Sequence, residues 1–475
     1  MIPQLEQKRN YSSTHSCSAI ELSPRKRTAY PRDVDRQYSE RLYQVIERGD
    51  LGAARTLLAS KANPNVVRQD RETPLCLTVL KNDVSMAQLL LEHKAQPDTA
   101  GNEGETPLCL AIFEDYAPIV QLLLKHKAQP EIVGDEGHTA ASLAASLRKK
   151  SWDYIKQSLS GPVIRRADAS AFTTNLSAIF GYNICPPGRK LLEGQCPHYS
   201  RFFEKEVNYQ GLPNPLCLWV QRALYESIDC VSSITVSELQ RARENACQNN
   251  LPLIFNGGYG GHSVRYLFFK TFFCVCDTGG IQKKPISIYQ TTSSLDLKNL
   301  LDTLVSCFFG FESDYRKKIY LGLKNIPGIQ RTQETMLYEG ACHLPLQSTG
   351  NCLWTSLEAA VWSLIFFSQK EGTFPKNAQR ANQLFRQWQA TAKVHFLVQF
   401  KDKTEGVPFF LPPLMRQEII ESAIFDLQDP RVLTKQARAL LRSLQEEFPN
   451  WTERRKHFPR VGQTVREFGD QKTDS

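Results

Sequence analysis

Apolar positions in the first third of the chain recur with a period of 33 residues: Thr73-Pro74-Leu75-Cys76-Leu77 returns as Thr106-Pro107-Leu108-Cys109-Leu110, and Thr139 stands a further 33 along. The same offset links Leu58, Leu91 and Leu124, and then Ala62, Ala95 and Ala128. Each Thr-Pro is placed to open a helix, because the threonine hydroxyl accepts from free backbone N–H groups and proline at the first helical position sacrifices no hydrogen bond. The runs Leu89–Leu91 and Leu122–Leu124 then form the buried stripe of a second helix in each unit. The period predicts four helix pairs over residues 37–150, with an irregular first unit (Glu40 where threonine is expected) and an alanine-rich last one serving as caps.

The period stops near Lys150, and Gly161-Pro162 and Cys185-Pro186-Pro187-Gly188 read as loops. Beyond Leu251 two strand-like runs flank a turn near Lys270. His262 opens the first of them, after the glycine-rich Gly257-Gly258-Tyr259-Gly260-Gly261, and Asp277 closes the second. Leu353 to Trp362 has helical spacing, which puts Cys352 at a helix N-terminus. Met415 to Leu427 and Val432 to Phe448 are helical again, with Pro412, Pro413 and Pro430 as stops. The expected class is α+β, an all-α solenoid followed by a mixed region with C-terminal helices. Its parts are a flexible leader at 1–36, repeats at 37–150, the mixed region at 165–405 and a helical segment at 406–475.

Composition narrows the function classes. Of 475 residues 41% are hydrophobic and 23% charged, which excludes wholesale disorder, and no apolar run reaches the length of a membrane span. The first 18 residues lack the apolar core of a secretory signal. Lys and Arg exceed Asp and Glu by 58 to 49, but the excess does not cluster and no aromatic platform accompanies it, so nucleic acid is not an expected partner. Pro24-Arg25-Lys26-Arg27 can be read as a nuclear address or as a solvated tail. Thirteen cysteines, an odd number, favour a reducing compartment. Cys185, Cys196 and His198 offer three metal ligands without a suitably spaced fourth, so neither metal nor cofactor is expected.

Candidate chemistry gathers in two stretches. A histidine opening one antiparallel strand and an aspartate closing the next lie near one another, which lets the carboxylate fix the imidazole's tautomer. At a helix start, the dipole and free N–H groups favour a Cys352 thiolate, and a His262 imidazolium favours it further. Gln347, five residues before Cys352 on a loop, is placed to donate to an oxyanion. Cys217, ahead of another helical pattern and with Gln210 as its oxyanion donor, is the alternative nucleophile. Cys76 and Cys109 read as inert core thiols, and Cys274 and Cys276 as strand residues packed on one face.

The 33-residue units resemble ankyrin repeats, which implies an extended concave surface that holds a protein partner; the other reading is that they buttress the adjoining region. His262, Asp277, Gln347 and Cys352 resemble, in order and local setting, the site of the ubiquitin-like-protein protease clan, which includes deSUMOylating enzymes and YopJ-type effectors. That resemblance implies a papain-like fold and a substrate that is a ubiquitin-like protein or a peptide. The clan's ubiquitin-like proteases usually carry Trp after the histidine and Gly after the cysteine, positions held here by Ser263 and Leu353. Gly350-Asn351-Cys352-Leu353-Trp354 also resembles the cysteine loop of OTU deubiquitinases, for which His395 would have to supply the imidazole. Ankyrin repeats joined to such a region resemble the effectors, of the ankyrin-H type above all, that intracellular Legionella inject into host cells. The resemblance implies type IV secretion and action on host proteins in the cytoplasm or nucleus. Two functions remain open at this point: thiol-dependent peptide or isopeptide hydrolysis or acyl transfer by Cys352, His262, Asp277 and Gln347, or a non-catalytic scaffold.

Overall fold

The computed structural model describes residues 32–182 and 205–452, except 69–70, 102–103, 133–138, 148–149, 229, 260–261, 279–283, 309–311, 345–351, 370–372, 408–411 and 428–429. Most of the expected leader therefore lies outside the described residues, although helix α1 (Arg32–Arg48) already opens within it. With α2 (Leu51–Ala59) it makes the first pair; α3 (Pro74–Leu80) and α4 (Val84–Glu92), α5 (Pro107–Phe113) and α6 (Ala117–Lys125), and α7 (Ala140–Leu147) and α8 (Lys150–Ser158) complete the array. The Thr73 and Thr106 hydroxyls accept from the backbone of Cys76 at 3.1 Å and of Cys109 at 3.2 Å, with proline at the first helical position in both. The first helices of the pairs stack on one another in chain order, and so do the second helices.

The intervening turns are hooked together by a further 33-residue marker. Asn65 Oδ1 accepts from the backbone N–H of Gln96 at 2.6 Å, and Asp98 Oδ1 from that of Gln129 at 2.8 Å. The leucine stripe is uneven. Leu89, Leu90 and Leu91 are all buried, whereas in α6 Leu123 is buried and Leu122 and Leu124 are half-buried. The neighbours account for this: α4 lies between α2 and α6, while the outer neighbour of α6 is α8, a mostly polar helix whose buried side chains, among the described residues, are Trp152 and Ile155.

Among the described residues no linker separates the repeats from the mixed region. Helix α9 (Gly161–Phe180) packs against α7 on one side and against the long helix α16 (Phe374–Thr404) on the other, where Phe172 stacks on Phe396 with ring centroids 5.3 Å apart. Arg166 of α9 also pairs with Glu131 of the repeats. One apolar core therefore runs from Leu42 in α1 to Phe448 near the end of the described chain.

The mixed region is built on an antiparallel meander of β1 (Leu253–Tyr259), β2 (His262–Phe269), β3 (Phe272–Cys276), β4 (Ile286–Thr291) and β5 (Ile329–Gln330). Its faces follow the two-residue alternation of strands. Val264, Tyr266, Phe268, Phe273 and Val275 join a core with residues of α12 (Leu297–Phe308) and α13 (Glu312–Asn325). Leu267, Phe269, Cys274 and Cys276 face the other way, where α15 (Cys352–Ser368) crosses β2 and β3. Helix α15 carries apolar residues all round because α16 covers its far side. Between strands and helices, α14 (Gln333–Gly340) is fixed by the buried Glu339 carboxylate, which accepts from the backbone N–H of Ile288 at 2.8 Å and pairs with Lys284 and Arg331.

Helices α10 (Asn214–Tyr225) and α11 (Val236–Gln248) precede the sheet, and α17 (Pro413–Asp426) and α18 (Lys435–Glu447) pack on α16. Pro412 and Pro413 open α17 rather than stopping the helix before it, since proline at a helix start leaves no i−4 bond unmade. The fold is thus a helical repeat array joined to an α+β region with its sheet between helices.

The uneven stripe has a measurable consequence. Leu123→Ala is expected to cost about 2–5 kcal/mol in denaturant unfolding of the full chain, and Leu124→Ala clearly less, because the half-buried side chain leaves a smaller cavity. Equal losses at the two positions would contradict the burial described.

Candidate functional site

His262 is the first residue of β2, and Asp277 comes directly after the last residue of β3. Arg265 pairs with Cys276, so continuing the register sets Asp277 opposite Val264 and makes His262 its diagonal neighbour on the same face. The side chains meet, with His262 Nε2 2.8 Å from Asp277 Oδ1. The Cys352 side chain hydrogen-bonds to the same ring. A glycine makes the strand geometry possible: Gly258 has φ +145°, and a Cβ there would lie 1.9 Å from the carbonyl oxygen of His262.

Cys352 reaches this point because α15 is stitched to the strands through its first turn. Thr355 and Thr278 share a hydroxyl hydrogen bond of 2.5 Å. Ser356 Oγ accepts from Arg265 Nη1 at 2.6 Å and lies 3.5 Å from Ser263 Oγ. Ser263 and Arg265 alternate with His262 along β2, so they face α15 while His262 faces the α13 side. The cysteine, at the end of its helix, meets the histidine around the end of the strand. Behind the pair, the Tyr320 hydroxyl of α13 donates to Asp277 Oδ2 at 3.4 Å.

Three of the four expected site residues are thus brought together, and the fourth, Gln347, lies outside the described residues. Cys185, Cys196 and His198 lie outside them too. Cys217, in the first turn of α10, is buried in the shared core and its pKa is raised by burial, while His262 is bonded to Cys352 instead. Gln210 sits in a turn where its backbone N–H donates to Asn208 Oδ1 at 2.7 Å. His395 lies inside α16, and burial lowers its pKa. Tyr320, Thr278, Thr355, Arg265 and Ser356 carry no local mark in the sequence that would have singled them out.

Electrostatics separate this thiol's surroundings from those of the other cysteines. Burial, as the largest effect, pushes the Cys76, Cys109 and Cys276 thiols up to about 12 and raises Cys274 and Cys342 as well, so all five stay neutral and inert. At His262 burial opposes the charged form, but hydrogen bonds to Asp277 and Cys352 and the charges of both outweigh it and hold the imidazolium up to about 10. The site is a closed one, with Cys352 and Asp277 each 3% and His262 7% exposed.

Residues 42–134 match the family of ankyrin repeats, in three copies. That segment holds the second and third helix pairs whole and lies within the four-pair array. No curated protein matches the chain. Among solved structures it is similar to one described as the structure of Legionella effector AnkH, with a TM-score of 0.54 and 15% identity, covering 87% of this chain and 91% of that one. At that identity the likeness is one of fold. Its extent shows that it takes in the mixed region as well as the repeats. Among the described residues no helix is long and apolar enough to cross a membrane.

His262 is expected to titrate near pH 10 by NMR, against an ordinary value of 6.5, and to fall in Asp277→Asn, where burial remains and the carboxylate's charge is gone. Because the folded-state pKa is the raised one, the histidine's contribution to stability is full below about pH 6.5 and is lost as pH rises through about 10. The stability difference between wild type and His262→Ala should therefore shrink across that window.

Proposed function

We propose that this chain is an ankyrin-repeat effector of the Legionella kind, whose repeats hold a host protein and whose mixed region carries out thiol-dependent acyl chemistry on a papain-like plan. The carrying observation is that one imidazole is engaged both by Asp277 at Nε2 and by Cys352. An imidazolium held by a carboxylate favours a thiolate beside it, and the positive end of the α15 dipole favours it further.

In the proposed reaction the Cys352 sulfur attacks an acyl carbon, forming a C–S bond. His262 gives its proton to the departing amine as the C–N bond breaks. Water, surrendering a proton to His262, then attacks the thioester and releases the acid, restoring the Cys352 thiolate beside the protonated His262. If a hydroxyl or amine of the partner replaces that water, the same intermediate yields acyl transfer. Asp277 keeps the imidazole oriented, with Tyr320 holding the carboxylate's other oxygen. By its spacing from Cys352, Gln347 is the proposed oxyanion donor. Peptides and ubiquitin-like conjugates are the first substrates to try. Delivery into a host cell by type IV secretion, and action in its cytoplasm or nucleus, belong to the same reading and are supported by the fold's likeness to a Legionella effector.

One observation favours a second reading. Cys352 is almost wholly covered, which suits a scaffold whose thiol is structural. A thiol-reactive probe built on a short peptide or a ubiquitin-like protein separates the two. The enzyme reading expects labelling that maps to Cys352, disappears in Cys352→Ala and drops by orders of magnitude in His262→Ala and Asp277→Asn. Such losses overlap rather than add, because the three residues act as a unit. A folded protein that labels nowhere, or that keeps its effect in cells as Cys352→Ala, would leave the scaffold.

A further inference from the structure

At the end of β2 opposite His262 a cavity of about 560 Å³ opens between α11, the start of β1 and the start of α12. Phe268 in its wall stands near the far end of the strand from His262, about 20 Å along it, so the cavity is separate from the thiol site. Its volume is that of a small-molecule pocket. Leu251, Leu253, Phe268 and Leu295 supply apolar wall, while Arg243, Lys270 and Lys298 stand around it.

The charges are unevenly partnered. Glu244 accepts from Gln240 Nε2 at 3.0 Å, and Asp296 caps α12, accepting from the backbone and side chain of Asn299 at 3.0 and 2.7 Å. Among the described residues neither acid pairs with a cation. Arg243 is half-buried with its guanidinium 5.1 Å from the centre of the Phe268 ring, and it has no acidic partner among the described residues. Lys270 lies over the Phe269 ring at 5.3 Å, and neither it nor Lys298 meets an acid among those residues. A half-desolvated guanidinium stacked on an aromatic ring, with its donors open to a cavity, is a form that binds planar or tetrahedral oxyanions. Three cations stand against two carboxylates around a cavity whose wall is part polar and part apolar, an excess of positive charge that suits a doubly charged head on an apolar body.

We propose that this cavity binds a small organic phosphate, with Arg243 gripping the phosphate, Lys270 and Lys298 adding charge, and the ligand's apolar body lying against Phe268 and the leucines. The ligand is recognised by that chemistry alone, and binding is independent of the thiol reaction.

Cys247 supplies a local readout, because it lines the cavity and is an exposed thiol. The experiment tracks alkylation of Cys247 in the full chain by peptide mass spectrometry, with phenyl phosphate as the probe and phenol, benzoate and inorganic phosphate as comparisons. Phenyl phosphate is expected to slow the alkylation at lower concentration than any of the three. Arg243→Gln should raise the concentration needed by about tenfold, the worth of one charge-assisted hydrogen bond, and Lys298→Gln, an exposed change that leaves the fold alone, should raise it by less. Cys352→Ala should protect like wild type. Protection by phenol equal to that by phenyl phosphate, undiminished protection in a folded Arg243→Gln, or no protection by any probe would overturn the proposal. Benzoate acting as well as phenyl phosphate would overturn the phosphate head.

Discussion

Arg265 is a guanidinium with no measurable exposure, lodged between a strand and a helix. Removing such a charge from water costs several kcal/mol unless its donors are met, so the surrounding groups must stay where they are. One donor goes to Ser356, and the short bond ties β2 to α15 within about a turn of Cys352. The thiol's position depends on it. Moving α15 along the sheet would break that bond and the one between Thr278 and Thr355 together. Apolar packing of α15 is less directional by comparison, since area removed from water does not depend on the pairing of particular atoms. The polar stitches choose one register among those the packing allows.

The repeats were legible because their signals are local and are repeated. A threonine before a proline caps its own helix, and the same residues recur at a fixed offset whatever the rest of the chain does. The gathering of the candidate residues was legible for a related reason: His262, Asp277 and Cys352 each stand at the end of an element, where strand alternation and helix capping leave a recognisable trace. What supports them was not. Arg265 and Ser356 are 91 residues apart and Tyr320 is 43 from Asp277, with no pattern in between to pair them. The half-burial of Leu122 and Leu124 was equally hidden, because it depends on which helix comes next and how polar that helix is. Asn65 and Asp98 carried a signal that could have been found, since they are in phase with the other markers.

The boundary near residues 150–165 is real as a change of pattern and yet not a break in the packing. Helix α9 buries small and aromatic side chains on both of its flanks, among them Ala169, Ala171 and Phe172, so the last repeat and α16 are two walls of one interior. Buttressing and partner holding, which the sequence set as alternatives, are compatible: the terminal repeat is docked, and the earlier pairs extend away from the dock.

That shared interior changes what tethering means here. Where a binding module hangs on a flexible linker, the reactive group samples a sphere around the captured partner, and its local concentration falls gently with distance. A rigid joint offers no sphere. In the proposed function, a segment of a partner held by the repeats meets the end of β2 at a fixed span and angle or does not meet it at all, so reach itself selects, and two partners gripped equally well can differ completely in whether they present anything to Cys352.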